Sequence, residues 1–304
     1  MRSLDSLWED NAGMRLAVLL ATVVLLVVAP ASHAEEIPPL VDARWLHARL
    51  GQPGVRVIDM VTEPKEYRVG HIPGAVYLNV DDVRVAVAEG GYRLPTVEEG
   101  ARLLGSLGLT PQTQVVAYDD SGGLHAARLF FTLEALGHRR VSVLDGGIQA
   151  WRRAGSPVSR DIPSVAPSVY RPRPRPELVA DETWIVDRLK DPGVVLLDTR
   201  SLAEYRGTDV RARRGGHIPG AVHVEWRDNL RPDLTFKPAD ELRAMYAARG
   251  IVPDKTVVTY CQTHHRAAHT YFVLRLLGFP SLAGYDRSWS QWGNRADLPI
   301  ARQP

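Results

Sequence analysis

An internal duplication is the feature of this chain that most constrains its fold. The seven residues Gly70 to Val76 recur letter for letter as Gly216 to Val222, and the run Val115 to Tyr118 returns as Val257 to Tyr260. The order of the matches is the same in both halves. A repeat of this length is too long for a solenoid unit, so the pattern indicates a duplicated domain. The 304 residues are enough for two domains of ordinary size.

Each half alternates short apolar runs with helical periodicity. Val194 to Leu197 and Val257 to Tyr260 are typical of buried parallel strands, and Ala239 to Ala248 of a helix. Ala267 to Leu277 is apolar on nearly every side and stops at Gly278, a usual C-cap residue, so we expect the buried central helix of its domain. The sequence therefore predicts an α/β protein of two tandem domains, each a mostly parallel sheet flanked by helices.

The domain boundaries follow from the repeats and from proline. We place the N-terminal domain at residues 35–157, a linker at 158–176 and the C-terminal domain at 177–304. Arginine and proline alternate from Arg171 to Pro176. Because proline fixes φ and lacks an amide donor, we expect the linker to be an extended tether over the surface.

Residues 1–34 are predicted to be a secretory signal peptide. The run from Leu16 to Ala29 is apolar but too short to cross a hydrocarbon core of about 30 Å comfortably. Ser32 and Ala34 are small residues at the positions that a signal peptidase reads. We expect a periplasmic or secreted protein with no stable membrane association after cleavage. An uncleaved anchor, and initiation at Met14, are the alternatives.

The position of Cys261, the one cysteine of the chain, indicates a reactive thiol. A single thiol excludes an intramolecular disulfide and a zinc site of several thiolates. Cys261 follows the strand that ends at Tyr260 and precedes a helix, at the sheet edge where α/β proteins bind ligands. The loop amides, the helix dipole and nearby cations favour the thiolate. We therefore expect a thiolate that attacks sulfane sulfur and carries it as a persulfide.

These motifs resemble those of the rhodanese family of tandem-domain thiosulfate sulfurtransferases. The resemblance rests on the duplicated Gly-His-Ile-Pro-Gly-Ala block, on residues 198–200 (Asp-Thr-Arg) and on the strand–Cys261–Arg266–helix unit, and it covers about residues 40 to 303. The loop Cys-Gln-Thr-His-His-Arg is similar to that of a bacterial rhodanese subgroup. The resemblance implies a catalytic C-terminal domain and an inactive N-terminal copy, in which Asp119 stands where Cys261 would be.

The predicted substrate-binding residues share a positive or tunable charge: Arg200, Arg266, His264 and His265. Gln262 and Thr263 complete the active-site loop. By resemblance, Arg200 binds the sulfonate end of thiosulfate, and its alternative role is a structural ion pair with Asp198. Arg266 could hold the loop, contact the substrate, or do both. The two histidines are expected to add positive charge beside the thiolate.

The same residues are compatible with two other chemistries, zinc binding and phosphatase or arsenate-reductase catalysis. Cys261, His264, His265 and His269 have plausible zinc-ligand spacings, but His269 falls on the predicted buried helix, so no metal and no cofactor are expected. A cysteine phosphatase or arsenate-reductase-like enzyme would need five residues between cysteine and arginine. Here only four residues lie between Cys261 and Arg266, and this smaller loop suits a single sulfur atom.

The sequence leaves more than one sulfur donor and more than one sulfur acceptor open. The expected donor is thiosulfate and the expected acceptor is cyanide or a thiol. Family members that prefer 3-mercaptopyruvate tend to have small, uncharged loop residues, so the basic loop favours thiosulfate. A persulfide carrier that serves one protein partner is a further alternative, and a silent binding module fits the N-terminal half alone. The net charge of +2 gives no electrostatic footprint for nucleic acid.

Overall fold

Two parallel sheets, one from each repeat, form the framework of residues 37–302, the part of the chain that this computed structural model describes. The predicted signal peptide lies outside the described residues. The strands are β1 (Leu40–Val41), β2 (Val55–Asp59), β3 (Val76–Tyr77), β4 (Val85–Ala86), β5 (Tyr92–Arg93), β6 (Gln114–Tyr118), β7 (Val141–Leu144), β8 (Val194–Asp198), β9 (Val222–His223), β10 (Thr256–Tyr260) and β11 (Leu282–Gly284).

The helices lie between these strands. They are α1 (Ala43–His47), α2 (Pro64–Val69), α3 (Val97–Ser106), α4 (Leu124–Ala135), α5 (Gly147–Arg153), α6 (Glu182–Val186), α7 (Leu202–Arg206), α8 (Ala239–Ala247), α9 (His265–Leu276) and α10 (Ser288–Trp292). Short 3₁₀ helices occupy Val80–Val83, Pro176–Leu178 and Trp226–Asn229.

The two sheets have matching strand orders. The first runs β1-β7-β6-β2-β3 and the second β11-β10-β8-β9, with every neighbouring pair parallel. Registers also match, because Asp59 lies opposite Tyr118 in the first sheet and Asp198 opposite Tyr260 in the second. A separate antiparallel ribbon joins β4 and β5. The predicted α/β fold of two tandem, mostly parallel domains is confirmed.

The central helices α4 and α9 pack against each other and join the two halves. Nearly every residue of α4 is buried, and so are residues 267–274 of α9. Phe130 of α4 meets Phe272 of α9 edge to face, with ring centroids 4.9 Å apart. One hydrophobic core therefore spans both repeats. The apolar surface of each helix, visible in the sequence, is explained by burial against its own sheet on one side and the other repeat on the other.

The segment between the repeats is extended and fixed to the first of them. The backbone N–H groups of Arg173 and Arg175 donate to the carbonyls of Leu136 and Ala135 at 3.0 and 2.8 Å. Tyr170 is buried, and its hydroxyl lies 2.9 Å from Nδ1 of a histidine of the first repeat.

Among the described residues, no helix has the length and apolar character that crossing a membrane requires.

Candidate active site

Cys261 lies between β10 and α9, and its loop is hydrogen-bonded to the first residues of α10. The Cys261 N–H donates to Ser288 Oγ at 3.2 Å, and the Cys261 carbonyl accepts from the Trp289 N–H at 3.0 Å. The Gln262 carbonyl accepts from the Ser290 N–H at 2.9 Å. Only 1% of Cys261 is exposed, so the sulfur lies at the bottom of its site rather than on the surface.

His264 caps α9 in a left-handed backbone conformation, with φ of 60°. This conformation makes the chain turn into the helix two residues earlier than the sequence pattern predicted, at His265 instead of Ala267. The His264 ring is fully buried, 4.4 Å from the ring of Phe131, and its Nδ1 lies 3.3 Å from Nη1 of Arg128. A non-glycine residue in this region is costly and persists only where neighbours hold it.

The structure corrects the expected charge of the two loop histidines. Burial first, and then the Arg128 guanidinium, hold the pKa of His264 well below its usual value. Burial and the Arg128 and Arg84 cations do the same to the pKa of His265, whose Nε2 accepts from Arg84 at 3.2 Å. Both rings are therefore neutral at pH 7. Neither supplies the positive charge that the sequence predicted beside the thiolate.

Arg266 both holds the loop and faces the site. Its Nη1 and Nη2 donate to the two carboxylate oxygens of Glu204 at 2.6 and 2.9 Å. Burial alone would lower the pKa of Arg266, but hydrogen bonding to Glu204 raises it, and Arg266 lines the same cavity as Cys261. Burial likewise would raise the pKa of Glu204, yet Arg266 lowers it to about 2. The pair places a permanent cation in the cavity that Cys261 lines.

Arg200 has a different environment from the one expected for a substrate ligand. It is 1% exposed, and its Nε and Nη2 bond both carboxylate oxygens of Asp198 at 2.5 to 3.1 Å. Nη2 also donates to the Gly216 carbonyl at 2.7 Å, and the guanidinium lies 4.4 Å from the Trp289 ring centroid. This geometry favours the structural ion pair over binding of the sulfonate.

A cavity of about 500 Å³ opens above Cys261. Of residues 37–302, those that line it are Leu124, Ser201, Glu204, Arg211, Glu225, Trp226, Arg227, Cys261, Gln262, Thr263, His265 and Arg266. This set contains the predicted loop residues except His264, and it leaves out Arg200. It adds two arginines, Arg211 and Arg227, that the sequence analysis missed. Leu124 is contributed by α4, so the first repeat forms part of the wall.

A signal for Arg211 was present in the repeat spacing. The repeats are 138 residues apart at Glu66 and Glu204 but 146 apart at Gly70 and Gly216, so the second repeat carries eight additional residues. These residues are absent from the first repeat and include Arg211. Trp226 and Arg227 lie in a 3₁₀ helix whose counterpart in the first repeat is Val80–Val83, and the two sequences share no motif that would single these residues out.

The equivalent loop of the first repeat holds a carboxylate in a ring of amides. Oδ1 of Asp119 accepts from the N–H groups of Ser121 and Gly123, both at 2.9 Å. Oδ2 accepts from the N–H groups of His125 and Ala126 at 2.7 and 3.0 Å. Asp119 is fully buried. A strand–loop–helix unit of this kind therefore binds an anion, as expected where amides converge at a helix N-terminus.

The residues weighed as zinc ligands are separated by the fold. His269 is fully buried on α9, and its Nε2–H donates to the Gly122 carbonyl of the first repeat at 3.0 Å. Within residues 37–302, no group of three or more His, Cys, Asp or Glu side chains has an arrangement that could hold a metal ion.

Comparison with known proteins identifies the family. The sequence model of the rhodanese-like domain matches residues 42–154 and again 181–295. This chain belongs to the rhodanese family. It is 36% identical to a thiosulfate sulfurtransferase of Azotobacter vinelandii, over 87% of this chain and 97% of that one. It is also 36% identical to the sulfur carrier protein TtuD of Thermus thermophilus, with coverage of 86% and 96%.

Solved structures of other proteins share the fold of this rhodanese. An anaerobic ergothioneine biosynthesis enzyme from Chlorobium limicola, in complex with trimethyl histidine, superposes with a TM-score of 0.80 at 27% identity. The alignment covers 88% of this chain and 70% of that one. A further structure, of EanB with ergothioneine covalently linked to a cysteine persulfide, gives a TM-score of 0.79.

Proposed function

We propose that this rhodanese is a thiosulfate sulfurtransferase that carries sulfane sulfur on Cys261 and passes it to cyanide or a thiol. The observation that carries the proposal is the placement of the sulfur: Cys261 lies between a strand end and a helix N-terminus, and it lines a cavity together with Arg266. The first repeat supports it, because the same unit there holds the Asp119 carboxylate with four amides. A terminal persulfide is also an anion of small size.

The reaction divides into two displacements. In the first, the Cys261 thiolate attacks the outer sulfur of thiosulfate; a Cys261–sulfur bond forms, the sulfur–sulfur bond of thiosulfate breaks, and its electron pair leaves with sulfite. In the second, cyanide or a thiolate attacks the terminal persulfide sulfur and the thiolate of Cys261 is released. A covalent intermediate between two half-reactions gives ping-pong kinetics.

We assign thiosulfate binding to the three arginines of the cavity, Arg211, Arg227 and Arg266, which share its lining with Cys261. Paired guanidinium donors suit the oxygens of an oxyanion, and a cation stabilises the charge that develops on departing sulfite. Two carboxylates, Glu204 and Glu225, also line the cavity, so the arginines exceed the carboxylates by one. Arg266 is paired with Glu204, and Arg211 is paired with Asp209 outside the lining. Arg200 does not line the cavity, and we assign it a supporting role: it pairs with Asp198 and packs on Trp289, whose N–H binds the Cys261 carbonyl.

Two other sulfur-transfer roles remain candidates because relatives carry those names. A probable 3-mercaptopyruvate sulfurtransferase of Pseudomonas aeruginosa is 35% identical over 86% of this chain, and TtuD is a sulfur carrier protein. The cationic cavity favours thiosulfate, a dianion, over the monoanionic mercaptopyruvate. A higher kcat/KM with mercaptopyruvate would reverse the donor assignment. Slow transfer to small acceptors with fast transfer to a purified protein would assign the carrier role.

The decisive experiment for the activity is the intact mass of the protein after incubation with thiosulfate. The wild-type chain should gain the mass of one sulfur atom and lose it again on addition of cyanide. The Cys261→Ser variant should gain nothing. A wild-type protein that stays at its original mass would contradict the proposal.

We also propose that the mature chain is exported. The support is the apolar run from Leu16 to Ala29, followed by small residues at Ser32 and Ala34. N-terminal sequencing of protein recovered from a periplasmic fraction should begin at Glu35. Recovery of the full-length chain from the membrane fraction would instead assign an uncleaved anchor.

A further inference from the structure

The two central helices exchange polar side chains in a reciprocal way. Arg128 lies five residues after Gly123, the N-cap of α4, and His269 lies five residues after His264, the N-cap of α9. Arg128 reaches the loop of the second repeat at His264, and His269 reaches the loop of the first repeat at Gly122. Each repeat therefore contacts the strand–helix loop of the other through the same position of its central helix.

Arg128 is fully buried, and a single nitrogen makes its contacts. Nη1 donates to Asp286 Oδ1 at 2.5 Å and lies 3.3 Å from Nδ1 of His264. Since an arginine nitrogen can only donate, Nδ1 accepts and the His264 ring is neutral. Nε and Nη2 of Arg128 have no partner among the described residues. Such a buried cation is costly unless it is paired, so its pairing fixes the positions of both partners.

These two partners stand at the two sides of the cysteine loop. His264 ends the loop in its left-handed conformation, 3.5 Å from Thr259 Oγ1 of the strand before the cysteine. Asp286 lies two residues before Ser288, whose Oγ accepts the Cys261 N–H. Arg128 therefore connects the segment that holds the amide of Cys261 with the residue that turns the chain into α9.

We propose that Arg128, from the repeat that lacks a thiol, is a positioning residue that holds the Cys261 loop in the shape that accepts a persulfide. The inference rests on the proposed sulfurtransferase activity and assigns a task to the inactive repeat in it. Arg128 does not line the cavity described above, so it acts through His264 and Asp286 and not on the substrate. Without it, the loop amides and the Arg266 cation lose their fixed orientation towards the sulfur.

The test compares three variants of the full chain: Arg128→Met, Arg128→Lys and His269→Gln. The methionine keeps the length and apolar packing of Arg128 but removes its donors. The lysine restores a single cationic nitrogen, and in the wild type a single nitrogen of Arg128 makes both contacts. His269→Gln is the matched control, since it alters the equivalent crossing contact, which is made to the loop without the thiol.

The readouts are the single-turnover rate of persulfide formation with thiosulfate, the KM for thiosulfate, and the lifetime of the persulfide followed by intact mass. Arg128→Met should slow persulfide formation about tenfold, with KM changed less than about twofold, and should shorten the lifetime of the persulfide. Arg128→Lys should recover part of the rate. His269→Gln should stay within about twofold of wild type in all three readouts.

Two results would overturn the inference. If folded Arg128→Met forms and keeps the persulfide at the wild-type rate, while only its melting temperature falls, Arg128 is structural alone. If Arg128→Met and His269→Gln lose rate equally, the packing of the two repeats in general is responsible. Should Arg128→Met fail to fold, Asp286→Asn tests the same ion pair with a side chain of the same size. Failure of the wild type to gain sulfur would contradict the proposed function instead.

Discussion

The loops that carry Asp119 and Cys261 are two versions of one structural unit. Both follow a buried central strand and precede a buried helix, and both have an N-cap residue with positive φ, Gly123 in the first and His264 in the second. The first loop fills its ring of amides with its own carboxylate, whereas the second has a buried cysteine directly after its strand. The first loop shows that a strand–loop–helix unit of this kind can surround an anion with amides, and the residue directly after the strand differs between the two loops.

A second difference lies beneath the loops. In the second repeat, Asp198 is paired with the buried Arg200, whereas Val61 stands at the equivalent place after Asp59 in the first. Burial there raises the pKa of Asp59 to about 6, although a hydrogen bond from the Tyr118 hydroxyl opposes the shift. The first repeat thus keeps the carboxylate without its cation. The two aspartates should respond in opposite ways to the same substitution.

The largest expected effect comes from giving the second loop the acid of the first. Cys261→Asp should lower sulfur transfer by roughly 10³-fold or more, because no nucleophile remains. The chain should nevertheless fold, since four amides of the first loop already accommodate a carboxylate. A sulfur-transfer assay measures the loss of activity, and thermal unfolding shows whether the variant folds. A Cys261→Asp protein that does not fold would show that the two loops are not equivalent anion sites.

The paired aspartates give the next largest effect. Asp198→Asn leaves the Arg200 cation buried without its counter-charge and should lower the free energy of unfolding by about 3–5 kcal/mol. Asp59→Asn should instead stabilise the protein by about 1–3 kcal/mol above pH 6. The raised pKa of Asp59 means that the folded state binds the extra proton, so stability falls as pH rises from about 4 to 6. Denaturant titrations at pH 4.5 and 7.5 check both signs, and a destabilised Asp59→Asn at pH 7.5 contradicts this account.

Removing the charge of Asp119 is expected to have a smaller effect on stability and almost none on chemistry. Asp119→Asn keeps one acceptor oxygen but turns an amide group towards buried N–H donors, which should cost about 2–4 kcal/mol. Sulfur transfer per folded molecule should stay within about twofold of wild type. Chemical denaturation and steady-state assays of the same preparation separate the two quantities. A large loss of kcat would mean that the first loop takes part in the reaction.

The smallest effect concerns the acid that holds Arg266. The pKa of Glu204 is lowered to about 2, so its contribution to stability is present above about pH 4.5 and is lost as pH falls towards 2. Glu204→Gln should therefore cost about 1–2 kcal/mol at pH 7, a value reduced for solvent screening at the edge of the cavity. At pH 2.5 the difference from wild type should be much smaller. A pH-independent difference would assign the effect to packing.

Much of this architecture could be read from the repeats, because local patterns decide it. The buried strands Val194–Asp198 and Thr256–Tyr260 and the central helix after Cys261 follow from apolar runs and their spacing. The match of Asp119 to Cys261 predicts a catalytic second copy and an inactive first copy, and this stays a prediction. The start of α9 was placed two residues late because a left-handed histidine has no sequence signature.

The site was predicted less completely because its charges depend on contacts between distant segments. His264 and His265 are neutral owing to burial and to Arg128 and Arg84 of the other repeat, and no local pattern carries that information. Arg200 precedes the helix that begins at Leu202, and its burial against Trp289 depends on the fold of the C-terminal segment. The ion pair of Arg266 with Glu204 likewise joins two elements far apart in sequence.

The core shared by α4 and α9 has a consequence for dissecting the protein. A chain cut within residues 158–176 would expose to water, on each fragment, the helix face that now packs on the other. Exposed apolar patches of this kind promote aggregation. The two sequence domains are therefore not two autonomous folding units: heating should give one cooperative transition, and either half expressed by itself should be insoluble unless its missing counterpart is supplied in trans.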